Sequence, residues 1–182
     1  MKKVLLILLV LLLQGCQEKI EYSYPDFDSY DMSGYNLETD NFYKISISQF
    51  LDMVDEKKTF ICYFGYESCP WWNDRLPILD EVCQQYQLKI YYMDFLDEEN
   101  KEDIESLEAL NDFAKDYLST DEQGNLQLFF PTVYYVQKGN LVNLHSGTVS
   151  NHDATVAELT ERQKARLKYN LEKEFDSLFK EQ

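Results

Sequence analysis

Thr59-Phe60-Ile61-Cys62-Tyr63-Phe64-Gly65-Tyr66-Glu67-Ser68-Cys69-Pro70-Trp71-Trp72 is the stretch on which the reading of this chain turns. Thr59 to Phe64 run almost without a polar break, the length of one strand and the composition of a strand covered on both faces. A turn follows, and Cys69 stands where a helix begins. Pro70 falls at the first helical position, where no N–H is needed. A helix start presents unpaired N–H groups and the positive end of a dipole, and both favour a thiolate over a thiol. The same spacing also suits an ordinary buried cysteine that precedes a helix.

The next residues narrow the choice. Cys69-Pro70-Trp71-Trp72, followed by Pro77-Ile78-Leu79-Asp80-Glu81-Val82, resembles the active-site helix of thioredoxins, with the kink proline eight residues after the cysteine. Far downstream, Phe130-Pro131-Thr132-Val133-Tyr134-Tyr135-Val136-Gln137-Lys138-Gly139 is similar to that family's cis-proline strand and the turn after it, leading into a last strand that ends at Gly147. The matched segments span roughly residues 44 to 180. The resemblance implies an α/β, thioredoxin-like fold: a central mixed sheet with helices on both faces. It also implies a cis Phe130–Pro131 bond facing Cys69, whose neighbouring backbone pairs with an extended polypeptide carrying thiols or disulfides.

The departures from the family pattern matter as much. The family has C-x-x-C, and here Trp72 fills the fourth position. The family's buried acid, six residues before the first cysteine, is replaced by Tyr63. Cys83 lies fourteen residues further along the same helix, about 21 Å away at the helical rise, while a disulfide needs Cα atoms within about 7 Å. It falls on the apolar stripe and reads as core. Cys62, in the strand, is poorly placed to pair with Cys69. Cys69 is therefore the catalytic candidate and acts alone. A lone thiolate can form a mixed disulfide with a partner, but an external thiol must release it. Trp71 is a candidate for an apolar rim against a peptide. Trp72 either joins that rim or turns inward beside Cys69. Phe130 and Pro131 complete the substrate-side candidates. His152 is read as a surface or capping residue beside Asp153, with tuning of the thiolate as the alternative. His145 and His152 lack the cysteine neighbours of a zinc site, so no metal is expected, and no cofactor.

The chain starts with Lys2 and Lys3, an apolar run from Val4 to Leu13, and Leu13-Gln14-Gly15-Cys16. A basic start, a short apolar core and a small residue before the cut read as a signal peptide over residues 1–15. The run is short for a spanning helix, which needs roughly 20 residues. Its end resembles a bacterial lipobox, which implies lipid on Cys16 and anchorage at the outer face of the cytoplasmic membrane. The chain resembles bacterial surface lipoproteins of the bacteriocin-accessory, thioredoxin-like kind, an analogy at the level of fold and location.

Residues 16–43 read as a lipidated, acidic, aromatic tether, largely a disordered spacer, ahead of a domain over residues 44–182. Its aromatics, among them Tyr22, Tyr24, Tyr30 and Tyr35, leave open that it docks on the domain or on a partner. Seventeen basic against 33 acidic residues give a net charge of −16, which argues against nucleic acid as a partner.

Within the domain, Ile45–Ile47 is expected as an edge strand and Ser46 with Gln49 as a capping box. A helix is expected from Pro70 to about Tyr86, a strand over Leu88–Phe95, and a long helix from Asn100 to Leu118 with Asn100 as its cap. A hairpin is expected around Lys138-Gly139-Asn140, and a last helix from Thr155, with Glu158 at capping-box spacing. Two functions remain open: single-cysteine thiol–disulfide exchange, isomerase-like, or a redox-inactive module of the same fold that holds a partner polypeptide.

Overall fold

A computed structural model describes residues 20–35 and 37–179, so the segment expected as a signal peptide, and Cys16, lie outside the described residues. Its centre is β2 (Phe60–Gly65), all six residues of which are buried. On one side β2 pairs in parallel with β3 (Ile90–Asp94), which pairs in parallel with β1 (Phe42–Lys44). On the other side β2 pairs antiparallel with β6 (Thr132–Gln137), which turns through Lys138-Gly139 into β7 (Asn140–Ser146). The order β1-β3-β2-β6-β7 is a mixed five-stranded sheet of thioredoxin-like topology.

Alternation along the strands sends successive side chains to opposite faces. On one face α1 (Ile47–Asp55) packs beside α4 (Ile104–Ala114). There Phe50 meets Phe60 at 5.2 Å, Tyr134 at 5.4 Å and Phe113 at 5.8 Å between ring centroids. On the other face α2 (Pro70–Tyr86) packs against α5 (Glu161–Leu178). There Phe175 meets Tyr86 at 5.3 Å and Tyr135 at 6.1 Å. The helix-on-both-faces expectation holds. Among the described residues no helix is long and apolar enough to cross a membrane.

The local signals at Ser46 and at α2 behave as read. Ser46 accepts from Gln49 N while the Gln49 side chain accepts from Ser46 N, a complete capping box. That box commits Ile47 to the helix, so the edge strand ends earlier, at Lys44, and not at Ile47. The helix expected over 100–118 is instead two: α3 (Glu98–Glu102) and α4, with Asp103 between them capping Ser106 N. Asn100 is not a cap. It is buried, donates to the Asp94 carbonyl at 2.6 Å and accepts from Ile47 N at 2.9 Å, tying α1 to the end of β3. The last helix starts at Glu161, because Thr160 and Gln163 form the capping box, while Thr155 is held in a turn by Asp153. A small hairpin, β4 (Ser119–Thr120) with β5 (Leu126–Gln127), occupies the stretch before Pro131.

Of the two readings left open for the acidic, aromatic stretch, docking on the domain is the one the structure takes. The described part of residues 20–43 lies against the domain as a strap. Tyr22 is buried, its hydroxyl donating to the Lys89 carbonyl at 2.5 Å and accepting from Ile61 N at 3.1 Å. Ser23 N donates to the Thr59 carbonyl at 2.7 Å. Tyr30 N donates to the Phe42 carbonyl at 2.8 Å, and Met32 is 1% exposed. Thr39 and Asn41 both donate to the buried Asp80 carboxylate, at 2.7 Å each. Acidic composition suggested a solvated chain, but its aromatic residues recover apolar burial against the sheet edge and outweigh the ordering cost.

Candidate functional site

Cys69 is the N-cap of α2, in extended conformation, and its carbonyl accepts from Trp72 N at 3.0 Å. Its side chain makes no capping bond. The thiol instead donates to the Phe130 carbonyl oxygen at 3.7 Å. The Phe130–Pro131 peptide is cis, as the resemblance implied. Phe130 is gripped by Phe95, Phe64 and Tyr66 at centroid distances of 4.9, 5.2 and 5.5 Å. Thr132 Oγ1 donates to the Phe129 carbonyl and meets Ser146 Oγ at 2.6 Å, so the backbone before Pro131 is held from both sides. Beside it lies an apolar groove of about 420 Å³ lined by Trp71, Phe129, Phe130, Ser146 and Gly147. Cys69 itself is only 2% exposed.

Trp71 is half-buried at this groove. Trp72 is not. Its indole is fully buried, stacked on Tyr63 at 4.2 Å and 20°, with Tyr92 at 5.0 Å and Tyr35 at 5.9 Å. The rim role considered for Trp72 therefore falls away: one residue further along the helix, its side chain turns under the sheet rather than out to the groove. The Tyr63 hydroxyl donates to the Trp72 carbonyl at 3.4 Å, and burial pushes that phenol far up. The two positions where the family carries its acid and its resolving cysteine are thus filled by one aromatic stack. Gly65 makes room for it: a Cβ there would lie 2.3 Å from Trp72 Cε3.

The other cysteines stay in the core. Cys62 and Cys83 are fully buried, burial raises both thiols well above their ordinary value, and no disulfide forms among Cys62, Cys69 and Cys83. Among the described residues no group of three or more His, Cys, Asp or Glu could hold a metal ion.

Three features escaped the sequence reading. Tyr66 borders Cys69: burial first, then the neighbouring Cys69, raises its hydroxyl. Phe129, 49% exposed, is a wall of the groove. Arg75 is fully buried, and its Nη1 donates to the carbonyls of His145 at 3.3 Å and Gly147 at 2.5 Å. Gly147 N in turn donates to the Pro131 carbonyl at 2.7 Å. Arg75 thereby braces the helix that carries Cys69 against the strand ends that carry the cis-proline. A charged residue on the apolar stripe of α2, three after Trp72, was the signal for it.

Nearby, Glu174 accepts from Tyr135 at 2.6 Å and pairs with His145 at 2.5 Å. Burial raises the Glu174 carboxyl, but the His145 bond and charge, with Arg75 and Tyr135, outweigh that and hold it below its ordinary value. His152 neither caps with Asp153 nor bonds to Cys69. Its ring nitrogen meets the Asp74 carboxylate at 2.6 Å, and its side chain is 3% exposed.

This arrangement can present one thiol to a disulfide laid along the groove. No second described cysteine can reach it. Neither a protein-family model nor a curated protein sequence matches the chain. Similar solved structures include oxidized thioredoxin O2 from Arabidopsis thaliana, at 16% identity and a TM-score of 0.45 over 77% of this chain and 96% of that one. Thioredoxin O1 from the same plant gives 16% identity and 0.44 over 77% and 99%. The oxidised Plasmodium falciparum thioredoxin gives 16% and 0.41 over 72% and 95%. At such distance the likeness says nothing of activity; the chain's own strand order and cis-proline carry the thioredoxin-like fold.

Proposed function

We propose that this chain is a single-cysteine thiol–disulfide exchange protein acting on polypeptides outside the cytoplasmic membrane, held there by lipid on Cys16. The observation that carries the reading is Cys69 at the start of α2, its thiol in contact with the carbonyl of Phe130 beside the cis-proline, where Phe130 and Trp71 line an apolar groove. The Cys69 thiolate attacks one sulfur of a partner disulfide. The bond between Cys69 and that sulfur forms, the partner's S–S bond breaks, and the other sulfur leaves as thiolate. An external thiol then attacks the mixed disulfide and restores Cys69.

The rival, a binding module without turnover, draws on the near-complete burial of Cys69 and on Trp72 in the resolving position. Incubation of the full chain with a disulfide-bonded peptide, followed by mass spectrometry, separates the two. Exchange predicts one adduct, on Cys69, absent in Cys69→Ser and released by added thiol. An unmodified Cys69 would leave the binding module. Rapid reduction over many turnovers without external thiol would overturn the single-cysteine mechanism. The anchor has its own check: Cys16→Ser should release the protein from membranes or leave its precursor uncut, whereas mature protein retained on membranes without lipid would refute it.

A further inference from the structure

Along Glu67-Ser68-Cys69-Pro70-Trp71, the residues before the cysteine line one hollow and Trp71 after it lines another. One is the apolar groove on the Trp71 side. The other is a cleft of about 710 Å³ whose walls include Tyr35, Glu67, Ser68, Asn73 and Leu96. The strap supplies one wall of this second cleft, Gly34 and Tyr35, and Tyr35 is fixed by a 2.8 Å hydrogen bond to Tyr92 Oη. Glu67 is the charged residue in its lining, is exposed, and has no cationic partner among the described residues.

The surroundings carry the same sign. The loops at this end of the sheet, residues 65–69, 95–98, 128–131 and 146–153, hold Glu67, Asp97, Glu98 and Asp153 and no lysine or arginine, and of these Asp97 is paired with Lys44 of β1 at 2.9 Å, which leaves Glu67 as the unpaired carboxylate of the cleft. An aromatic wall beside an unpaired carboxylate suits a long aliphatic stem ending in a cation, because the ring attracts the charge and the stem covers the ring. Burial raises the Tyr35 hydroxyl against the lowering effect of its bond to Tyr92, and the charges of Asp94, Tyr30 and Glu67 add to the rise.

We propose that the cleft is a subsite for a lysine or arginine of the partner polypeptide, on the opposite side of the partner's cysteine from an apolar residue seated in the Trp71–Phe129–Phe130 groove. This rests on reading the groove as a polypeptide site and names the class of polypeptide: basic on one flank, apolar on the other. The strap is then part of the binding site and not a spacer.

The test removes the thiol chemistry. Full-chain Cys69→Ser is titrated, by tryptophan fluorescence and calorimetry, with a short peptide carrying phenylalanine, serine in place of cysteine, and lysine, and with the same peptide carrying glutamate for lysine. The lysine peptide should bind about tenfold more tightly, with the preference shrinking as salt rises. Adding Glu67→Gln should bring the two affinities together, and Tyr35→Phe, which keeps the ring, should preserve the preference. Equal affinities in the starting protein, or no binding of either peptide, would overturn the proposal. So would a preference that survives Glu67→Gln, since the net charge of −16 and not the cleft would then be its source. If selectivity holds but wild-type protein forms no mixed disulfide with a cysteine version, the exchange reading falls and this one stands.

Discussion

The outer and inner sides of the first turn of α2 have been built to opposite ends. Outward, Trp71 borders a groove, and the Cys69 thiol donates a weak bond to the Phe130 carbonyl beside the cis-proline. Inward, Trp72, Tyr63 and Gly65 close on one another with no room for an added methyl group. Residues three apart on one turn, which in a dithiol protein would cooperate, here face the cis-proline on one side and the packed core on the other. Attack geometry and resolution are therefore separable: the first needs the rim, the second needs a cysteine where this chain has put its largest side chain.

The sharpest way to break that division is Trp72→Ala. The indole is fully buried among Tyr63, Tyr92 and Tyr35, so its loss should cost about 3–5 kcal/mol in urea unfolding. A cost below about 1 kcal/mol would mean the stack is not core. Gly65→Ala should cost about 1–3 kcal/mol, because the new Cβ meets a ring that cannot retreat. In the Trp72→Ala background that cost should disappear; strict additivity would show that the two do not touch.

Alkaline pH probes the same inner side. Cys62, Cys83, Tyr63 and Tyr134 all have folded-state values raised by burial above their ordinary 9.0 and 10.0. The unfolded chain releases those protons first, so their contribution to stability is complete below about pH 9 and is lost as pH rises beyond it. Urea midpoints should fall from pH 9 to pH 10.5, and a rise would contradict the burial of these groups. Alkylation of folded protein should spare Cys62 and Cys83 until unfolding.

The smallest effect tests the outer side. Trp71→Ala should leave the urea midpoint within about 0.5 kcal/mol of wild type while slowing adduct formation between Cys69 and an apolar peptide severalfold. Slowing that is equal for a small polar disulfide would place Trp71's influence on the thiol rather than on the groove.

By itself the sequence determined the elements whose cues are local. An uninterrupted apolar run made β2, Pro70 placed the start of α2, Ser46 with Gln49 capped α1, and the motif around Pro131 marked the cis bond and the hairpin. The place of Cys69 at the start of α2 and the lack of a second cysteine three residues on were equally legible, because each is a residue identity at a known spacing. What only the tertiary structure decided are pairings across long separations. Asn100 had the look of a helix cap until Ile47 N and the Asp94 carbonyl claimed its side chain. Thr155 had helix-start spacing with Glu158, but Asp153 held it in a turn and Thr160 with Gln163 formed the cap instead. Trp72's inward turn depends on Gly65 and Tyr63, and the strap depends on the sheet edge, on Asp80 and on Trp72 itself. A stretch rich in both acid and aromatic residues carries two opposed local tendencies, solvation and burial, and only the presence of a complementary surface in the folded domain selects the second.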